Sequence, residues 1–386
     1  MDFELTEEQK LTRQTVREFA ESEIAPRAFE CDETQEFPRD VMRRLGEMGM
    51  LGVVFPPEYG GAGLTSMDYV LIIEELARVD GSIGLSVAAH NSLCSNHIFM
   101  AGTEDQKRRF LVPLAKGEKI GAWSLTEPTA GSDASGTRST AVRDGRDWVL
   151  NGSKTFATHG SVCDVAVVFA VTDRGKGKHG ISAFILEKGM KGFRPGKKEN
   201  KMGCRASDTA EIVMEDCRVS DAHRLGPEGQ GFIDALRILD GGRIGIGALA
   251  VGIAQGAFEQ AVAYARTRRQ FSQPIAHFQA VQWMLADSAV EIHAARLLVQ
   301  RAAFMRDTGQ EVTRAASMAK LYASETAVRV ANRAVQIHGG YGYVKEYPVE
   351  RAYRDARICT IGEGTSEIQR LVIARQLLGE TPERAS

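Results

Sequence analysis

The apolar residues of this chain change period twice, and that change restricts the fold more than any other feature. From Phe3 the pattern is helical. Thr6 with Gln9 predicts a capping box, and Leu11, Val16, Phe19, Ala20 and Ile24 recur at helical spacing as far as Pro26. Residues 39–48, 66–79 and 84–100 read as further helices, separated by the turn-rich 55–63 and by Asp80-Gly81. Around Gly121 the period becomes extended. Runs 138–142 and 148–150 flank an Asp144-Gly145 turn, and 165–171, 181–187 and 209–214 are β-rich between glycine-containing loops. After Gly231 the helical period returns over 232–266, 278–308, 313–338 and 366–378.

Helices, then strands, then helices predict an α+β protein: a helical domain over 1–120, a β-barrel or sheet domain over 121–231, and a helical domain over 232–386 whose simplest form is a four-helix bundle. A length of 386 residues is enough for cores of that number. With a formal net charge of −2 and 25% charged residues, the chain lacks the basic excess that nucleic acid or an anionic membrane would select. The most basic stretch, 188–201, is broken by Gly189, Gly192, Pro195 and Gly196 and reads as a solvated hairpin. No apolar run reaches the roughly 18 residues of a membrane span, and the N-terminus opens in acidic and polar helix, so a cytoplasmic protein is expected, or a matrix-located one if this is a processed form. Six cysteines are scattered without C-x-x-C spacing, which argues against zinc, any other metal cluster and a disulfide framework.

Two stretches carry chemistry. In TIGEGTSEIQRLVI, residues 360–373, Glu363 stands between Gly362 and Gly364 just before a helix start, so a carboxylate is held on a tight turn. Ser366 with Gln369 fits a capping box there, and Ile368, Leu371, Val372 and Leu378 predict an apolar face. In WSLTEPTAGS, residues 123–132, hydroxyls at Ser124, Thr126 and Ser132 and backbone amides near Gly131 suit a polar heterocycle or a phosphate. A third stretch, GIGALA at 245–250, matches a dinucleotide pattern but has no strand before it and no βαβ context. Its glycines, with Gly252 and Gly256, are expected to let helices approach closely, within the bundle or across a subunit interface.

The run EGTSEIQRLVIAR resembles the C-terminal signature of the acyl-CoA dehydrogenases, and WSLTEPTAGS resembles the flavin-binding stretch of that family, in the same order and at similar spacing. The resemblance implies FAD as cofactor, an acyl-CoA substrate, an electron-transferring flavoprotein as acceptor, and a homotetramer built as a dimer of dimers. It implies FAD contacts at Trp123, Leu125, Thr126, Gly131 and Ser132, and at Phe156 and Thr158, where the family usually has Trp-Ile-Thr. Further FAD contacts are implied at Thr365 and Glu367, and from a neighbouring subunit at Arg268, Phe271, Gln336, Gly339 and Gly340. Substrate contacts are implied at Ser132, which also lies along the pantetheine channel, and at Asp240, Arg243 and Gly364. His159, where an asparagine is common, is expected to make a local polar contact.

The chemistry the resemblance implies is α,β-dehydrogenation, with Glu363 removing the α-proton. The thioester oxygen would be held by the Glu363 backbone amide and a ribityl hydroxyl, and the β-hydrogen would leave as hydride to flavin N5. Some members of the family carry the base on the helix that begins here near Phe232; Gly242 occupies that position, so Glu363 is the candidate base. Gly362 replaces the tyrosine that often precedes the glutamate, which opens room for a branched or bulky short acyl group. Residues 80–92 contain no Lys or Arg to meet a distal carboxylate. A short- to medium-chain acyl-CoA, straight or branched, is the expected substrate. An acyl-CoA oxidase, or a non-catalytic assembly relative, is the alternative.

Overall fold

A computed structural model of the chain describes residues 4–379, so Phe3 lies outside it. The first helix, α1 (Glu7–Phe19), has the Thr6–Gln9 capping box with both reciprocal bonds formed. Val16 and Phe19 are buried along it, as are Ala20 and Ile24 in the π-helical turn that continues it, whereas Leu11 is 68% exposed. Helices α2 (Arg39–Glu47), α3 (Ser66–Val79) and α4 (Gly81–Ala89) follow, and the chain continues helically from α4 through a π-turn at His90–Ser95 to Ala101.

The β region is one eight-stranded sheet in the order β6-β7-β3-β2-β4-β5-β8, with β1 paired parallel to β4. Its strands are β1 (Gly121–Ser124), β2 (Thr140–Asp144), β3 (Asp147–Thr158), β4 (Val165–Val171), β5 (Ile181–Glu187), β6 (Phe193–Lys198), β7 (Thr209–Ser220) and β8 (Arg224–Leu225). The basic stretch is therefore not a free hairpin, because β6 pairs antiparallel with β7. Strand β4 shows why this sheet belongs where it is. Val165, Val167 and Phe169 join a core with Phe55, Phe110 and Leu111 of the helical region, while Ala166, Val168 and Ala170 point into the sheet's own interior with Trp148 and Leu150. A strand buried on both faces reads as a continuous apolar run rather than an alternating one.

The long helix α5 (Gly231–Thr267) runs through the centre of the second helical region and packs on α3, α6 (Gln279–Asp307) and α7 (Thr313–His338). A two-residue hairpin, Arg269–Gln270 with Gln273–Pro274, follows α5, so pairing does not end at Gly231. By length and composition α5 could cross a membrane, but 61% of its most apolar window is buried in the protein. Its glycines explain the tight fit. A Cβ at Gly245 would lie 2.5 Å from the Tyr69 hydroxyl of α3, one at Gly252 would lie 2.7 Å from the Ala77 Cβ, and one at Gly247 would lie 2.9 Å from Val299 of α6. GIGALA is thus a packing surface inside one chain. A further helix, α8 (Pro348–Cys359), which the period missed, packs on α5 and α7, ahead of α9 (Ser366–Leu378).

Candidate active site

The turn between α8 and α9 places Glu363. Its φ is +53°, a left-handed conformation that costs a non-glycine residue about 1–3 kcal/mol and persists only where the surroundings enforce it. Three side chains do so. Thr365, not Ser366, caps α9 by accepting from the Ile368 amide at 3.3 Å. Gln369 turns inward, fully buried, and donates to the carbonyls of Glu363 and Gly364 at 3.4 and 2.9 Å. From α7, Lys320 Nζ donates to the same Gly364 carbonyl at 2.7 Å. The capping box expected at Ser366 does not form: Thr365 caps the helix with a single bond, and Gln369 serves the turn rather than the helix start. The apolar face expected for α9 is not buried in this chain: Leu371 is 49% and Leu378 73% exposed.

The Glu363 carboxyl is desolvated. Burial pushes its pKa up to about 7, against the opposing pull of Lys320 and Arg243. Its Oε2 is buried and has no hydrogen-bond partner among the described residues. The carboxyl lies directly against α5 at Gly242, where an added Cβ would lie 2.8 Å from Glu363 Cδ and closer still to Oε2. Only glycine leaves that space. One turn face away, Arg243 Nη1 donates to Asp240 Oδ1 at 2.6 Å, and Thr313 of α7 donates to Asp240 Oδ2 at 2.6 Å. Arg243 Nε is buried and has no hydrogen-bond partner among the described residues. A Cβ at Gly362 would make ordinary contacts with Ile358, at 3.5–3.9 Å, so a side chain can be accommodated where relatives often carry a tyrosine, and the glycine leaves that room unfilled.

From Gly242 the site runs towards the sheet. Ile238 and Leu239, one turn earlier on α5, pack with Ala89, Leu93 and the edge of Trp123 on β1. Trp123 is fixed by a bond from its indole N–H to His97 Nδ1 at 3.2 Å and by an edge contact on Phe169 at 4.9 Å between centroids. Leu125 is a core residue whose carbonyl accepts from Lys154, so a cofactor contact there would be through its backbone. The loop that carries Thr126, Gly131 and Ser132 is folded round one carboxylate. Glu127 accepts from Lys154 Nζ at 2.7 Å, from the Arg138 and Ser139 amides at 2.7 and 3.0 Å, and from Thr137 at 3.3 Å. Gly131 and Ser132 are exposed at its tip.

Phe156 and Thr158 lie on β3, where the register against β7 slips between Lys154 and Ala157. The bulge puts Phe156 at φ +57° and turns its ring outward, 64% exposed. His159 is buried, with Nδ1 3.0 Å from the Gly121 carbonyl, and burial pushes its pKa down to about 4. A flat heterocycle fits this surface: an exposed aromatic ring, the half-buried Trp123 and Thr158, and a buried Ser124 hydroxyl without a partner among the described residues.

The remaining cofactor positions lie elsewhere. Arg268 stacks over Tyr341 at 5.3 Å, beside Gly339 and Gly340, where an added Cβ would meet nothing within 4 Å. Gln336 is exposed, and Phe271 is 89% exposed. At a helical rise of 1.5 Å, Arg268 is about 39 Å along α5 from Gly242, so one chain does not gather both groups around a single ligand. Glu367 is exposed on the first turn of α9. Lys320, Glu127 and Lys154 are site-building residues that the sequence pattern does not single out, and Gln369, expected in a capping box, serves the turn instead. A lysine in register with Ala316, Ala323 and Ala327 on a buried stripe was the available signal for Lys320.

Residues 6–118, 122–217 and 229–378 match, in turn, the N-terminal, middle and C-terminal domains of acyl-CoA dehydrogenase. The chain belongs to the acyl-CoA dehydrogenase family. These proteins are flavin-dependent oxidoreductases that use FAD. Over 98% of this chain and 100% of the relative, it is 53% identical to the short-chain specific acyl-CoA dehydrogenase of Clostridium acetobutylicum. It is 45% identical to the caffeyl-CoA reductase-Etf complex subunit CarC of Acetobacterium woodii, over 97% of this chain and 99% of the relative. Butyryl-CoA dehydrogenase from Megasphaera elsdenii superposes with a TM-score of 0.96 at 46% identity, covering 98% of this chain and 100% of that one. The α+β architecture expected from the period of the sequence is that of the family.

Proposed function

We propose that this acyl-CoA dehydrogenase oxidises a short-chain acyl-CoA, straight or branched, to its trans-2-enoyl-CoA, with Glu363 as the base. The observation that carries this reading is the Glu363 carboxyl itself: desolvated, without a partner on Oε2, and poised near neutral pH. An α-proton beside a thioester is weakly acidic, and a base whose pKa matches the working pH gives the best compromise between being deprotonated and being strong. Glu363 takes the α-proton on a carboxylate oxygen as charge develops on the thioester oxygen. Its own amide has no acceptor among the described residues and is a donor for that oxygen. FAD, when bound, supplies N5 as acceptor for the β-hydride. Trp123, Phe156 and Thr158 would hold its ring system, and Asp240 with Arg243 would orient the acyl-CoA.

Short-chain preference is supported by the names of the Clostridium and Megasphaera relatives, and the missing side chain at Gly362 favours tolerance of branching. The Acetobacterium relative, named as part of an Etf complex, supports an electron-transferring flavoprotein as acceptor. The separation of Arg268, Phe271 and the 336–340 segment from the Glu363 site supports a cofactor site completed by a second chain, as in a homotetramer. Exposed Trp283, Val290, Phe304, Leu371 and Leu378 on α6 and α9 supply apolar surface for such contacts. Anaerobic titration of the purified flavoprotein with butyryl-, isobutyryl- and octanoyl-CoA tests the substrate assignment. Bleaching of the oxidised flavin band most readily by the four-carbon thioesters is expected, and bleaching by octanoyl-CoA alone would refute it.

A further inference from the structure

Lys320 is a fully buried lysine on a stripe of α7 otherwise made of small residues, among them Ala316, Ser317, Ala319, Ala323 and Ala327. Burying a long cation costs free energy unless it is bonded or paired. Among the described residues no carboxylate bonds to it, and its one hydrogen bond is to the Gly364 carbonyl, where it shares the acceptor with Gln369. Two donors converging on that oxygen hold the peptide that follows Gly364, so the left-handed turn at Glu363 has no freedom to relax.

The same ammonium is an electrostatic neighbour of the Glu363 carboxyl. The groups near that carboxyl come from four helices: Arg243 and behind it Asp240 on α5, Tyr69 on α3 with Arg306 of α6 beyond it, and Lys320 on α7, whose ammonium also neighbours the Cys359 thiol at the end of α8. Glu367 on α9 lies further off, on the Lys320 side. Of these, Lys320 and Arg243 bring positive charge against the carboxylate. Arg243 already carries an ion pair with Asp240 at 2.6 Å. Lys320 is the cation whose charge is not spent on another side chain.

We propose that Lys320 is the positioning residue of the base: its ammonium clamps the Gly364 carbonyl to hold the Glu363 turn, and its charge favours the carboxylate form that accepts the proton. The inference rests on Glu363 being the base. Its two components separate in two variants, because Lys320→Gln keeps an N–H donor without the charge and Lys320→Met removes both.

Two readouts on the FAD-loaded protein test it. The first is the pH titration of the Glu363 carboxyl by infrared difference spectroscopy against Glu363→Gln, which needs no turnover. The second is single-turnover flavin reduction by butyryl-CoA as a function of pH. Both variants are expected to move the carboxyl midpoint, and the acid limb of the rate, upward by about one pH unit. At alkaline pH, Lys320→Gln should recover to within about threefold of the parent, while Lys320→Met stays roughly 10²-fold slower because the turn is loosened. A midpoint unmoved in both variants, with lower thermal stability and an equal rate loss at every pH, would overturn the proposal and leave Lys320 a packing residue. If Lys320→Met does not fold, the midpoint in Lys320→Gln decides alone. Flavin reduction by Glu363→Gln at the parental rate would instead sink the base assignment, while the infrared titration would still report the coupling.

Discussion

Substituting Gly242 with alanine should damage catalysis while sparing the fold. A Cβ there would lie 2.8 Å from Glu363 Cδ, whereas carbon atoms in contact settle at about 3.5–4.0 Å, so the carboxyl must retreat by about 1 Å. Displacement of that size from a reactive geometry costs about 10²-fold in rate, or about 2.7 kcal/mol at 1.36 kcal/mol per decade. Alanine is also a better helix residue than glycine by about 1 kcal/mol, which offsets the strain of crowding the turn. The expected result is single-turnover flavin reduction by butyryl-CoA slowed about a hundredfold, with a melting temperature within a few degrees of the parent and FAD content unchanged. A variant that reduces its flavin at the parental rate would refute the placement of the carboxyl against this helix. Loss of FAD together with loss of activity would show that Gly242 serves the fold rather than the base.

Other consequences concern pH and the cofactor loop. Because Glu363 must be ionised to accept a proton and its pKa is raised to about 7, the rate of flavin reduction should climb with pH through neutrality; a flat profile between pH 5.5 and 8.5 would contradict this. The same shift sets a stability dependence of definite sign. The folded state retains the Glu363 proton above pH 4.5, where the unfolded chain releases it, so this group lowers stability progressively as pH rises from 4.5 to about 7. Glu363→Gln should remove that component, seen as a smaller fall in melting temperature across the window. Lys154→Met strands the buried Glu127 carboxylate that organises the 127–139 loop. It should cost about 3–5 kcal/mol and release FAD, measured by urea denaturation and flavin fluorescence; an unchanged midpoint would show that the pair is dispensable.

Which parts of this molecule could be read from the sequence follows from what the residues pack against. Runs such as 165–171 and 181–187 match their strands to the residue, because a strand buried on both faces leaves an unbroken apolar signature. Helix α8 escaped notice because its buried face is made of Val349, Ala356 and Cys359 between charged neighbours, a stripe too small in side-chain volume to stand out. Helix α9 matches its expected span of 366–378, but its cap is Thr365 rather than Ser366: both are competent caps, and only the inward turn of Gln369 distinguishes them. Of the apolar residues of α9, Ile368 and Val372 are half-buried while Leu371 and Leu378 stay exposed, because among the described residues nothing covers that side of the helix. At the site, Glu363 was legible from its flanking glycines. Lys320, Glu127 and Lys154 were not, since a buried charge is recognised by its partner across the fold, at separations of 44 and 27 residues.

The central claim is that the Glu363 carboxylate is the group that starts the reaction. Its most direct test is rapid-mixing of the FAD-loaded Glu363→Gln protein with butyryl-CoA under anaerobic conditions, beside the parent. Glutamine keeps the size and the backbone of the turn but accepts no proton. The account predicts that butyryl-CoA still binds, seen as a perturbed flavin spectrum, while bleaching of the oxidised band falls by at least about 10³-fold. Bleaching at the parental rate would contradict it and place the base on another residue.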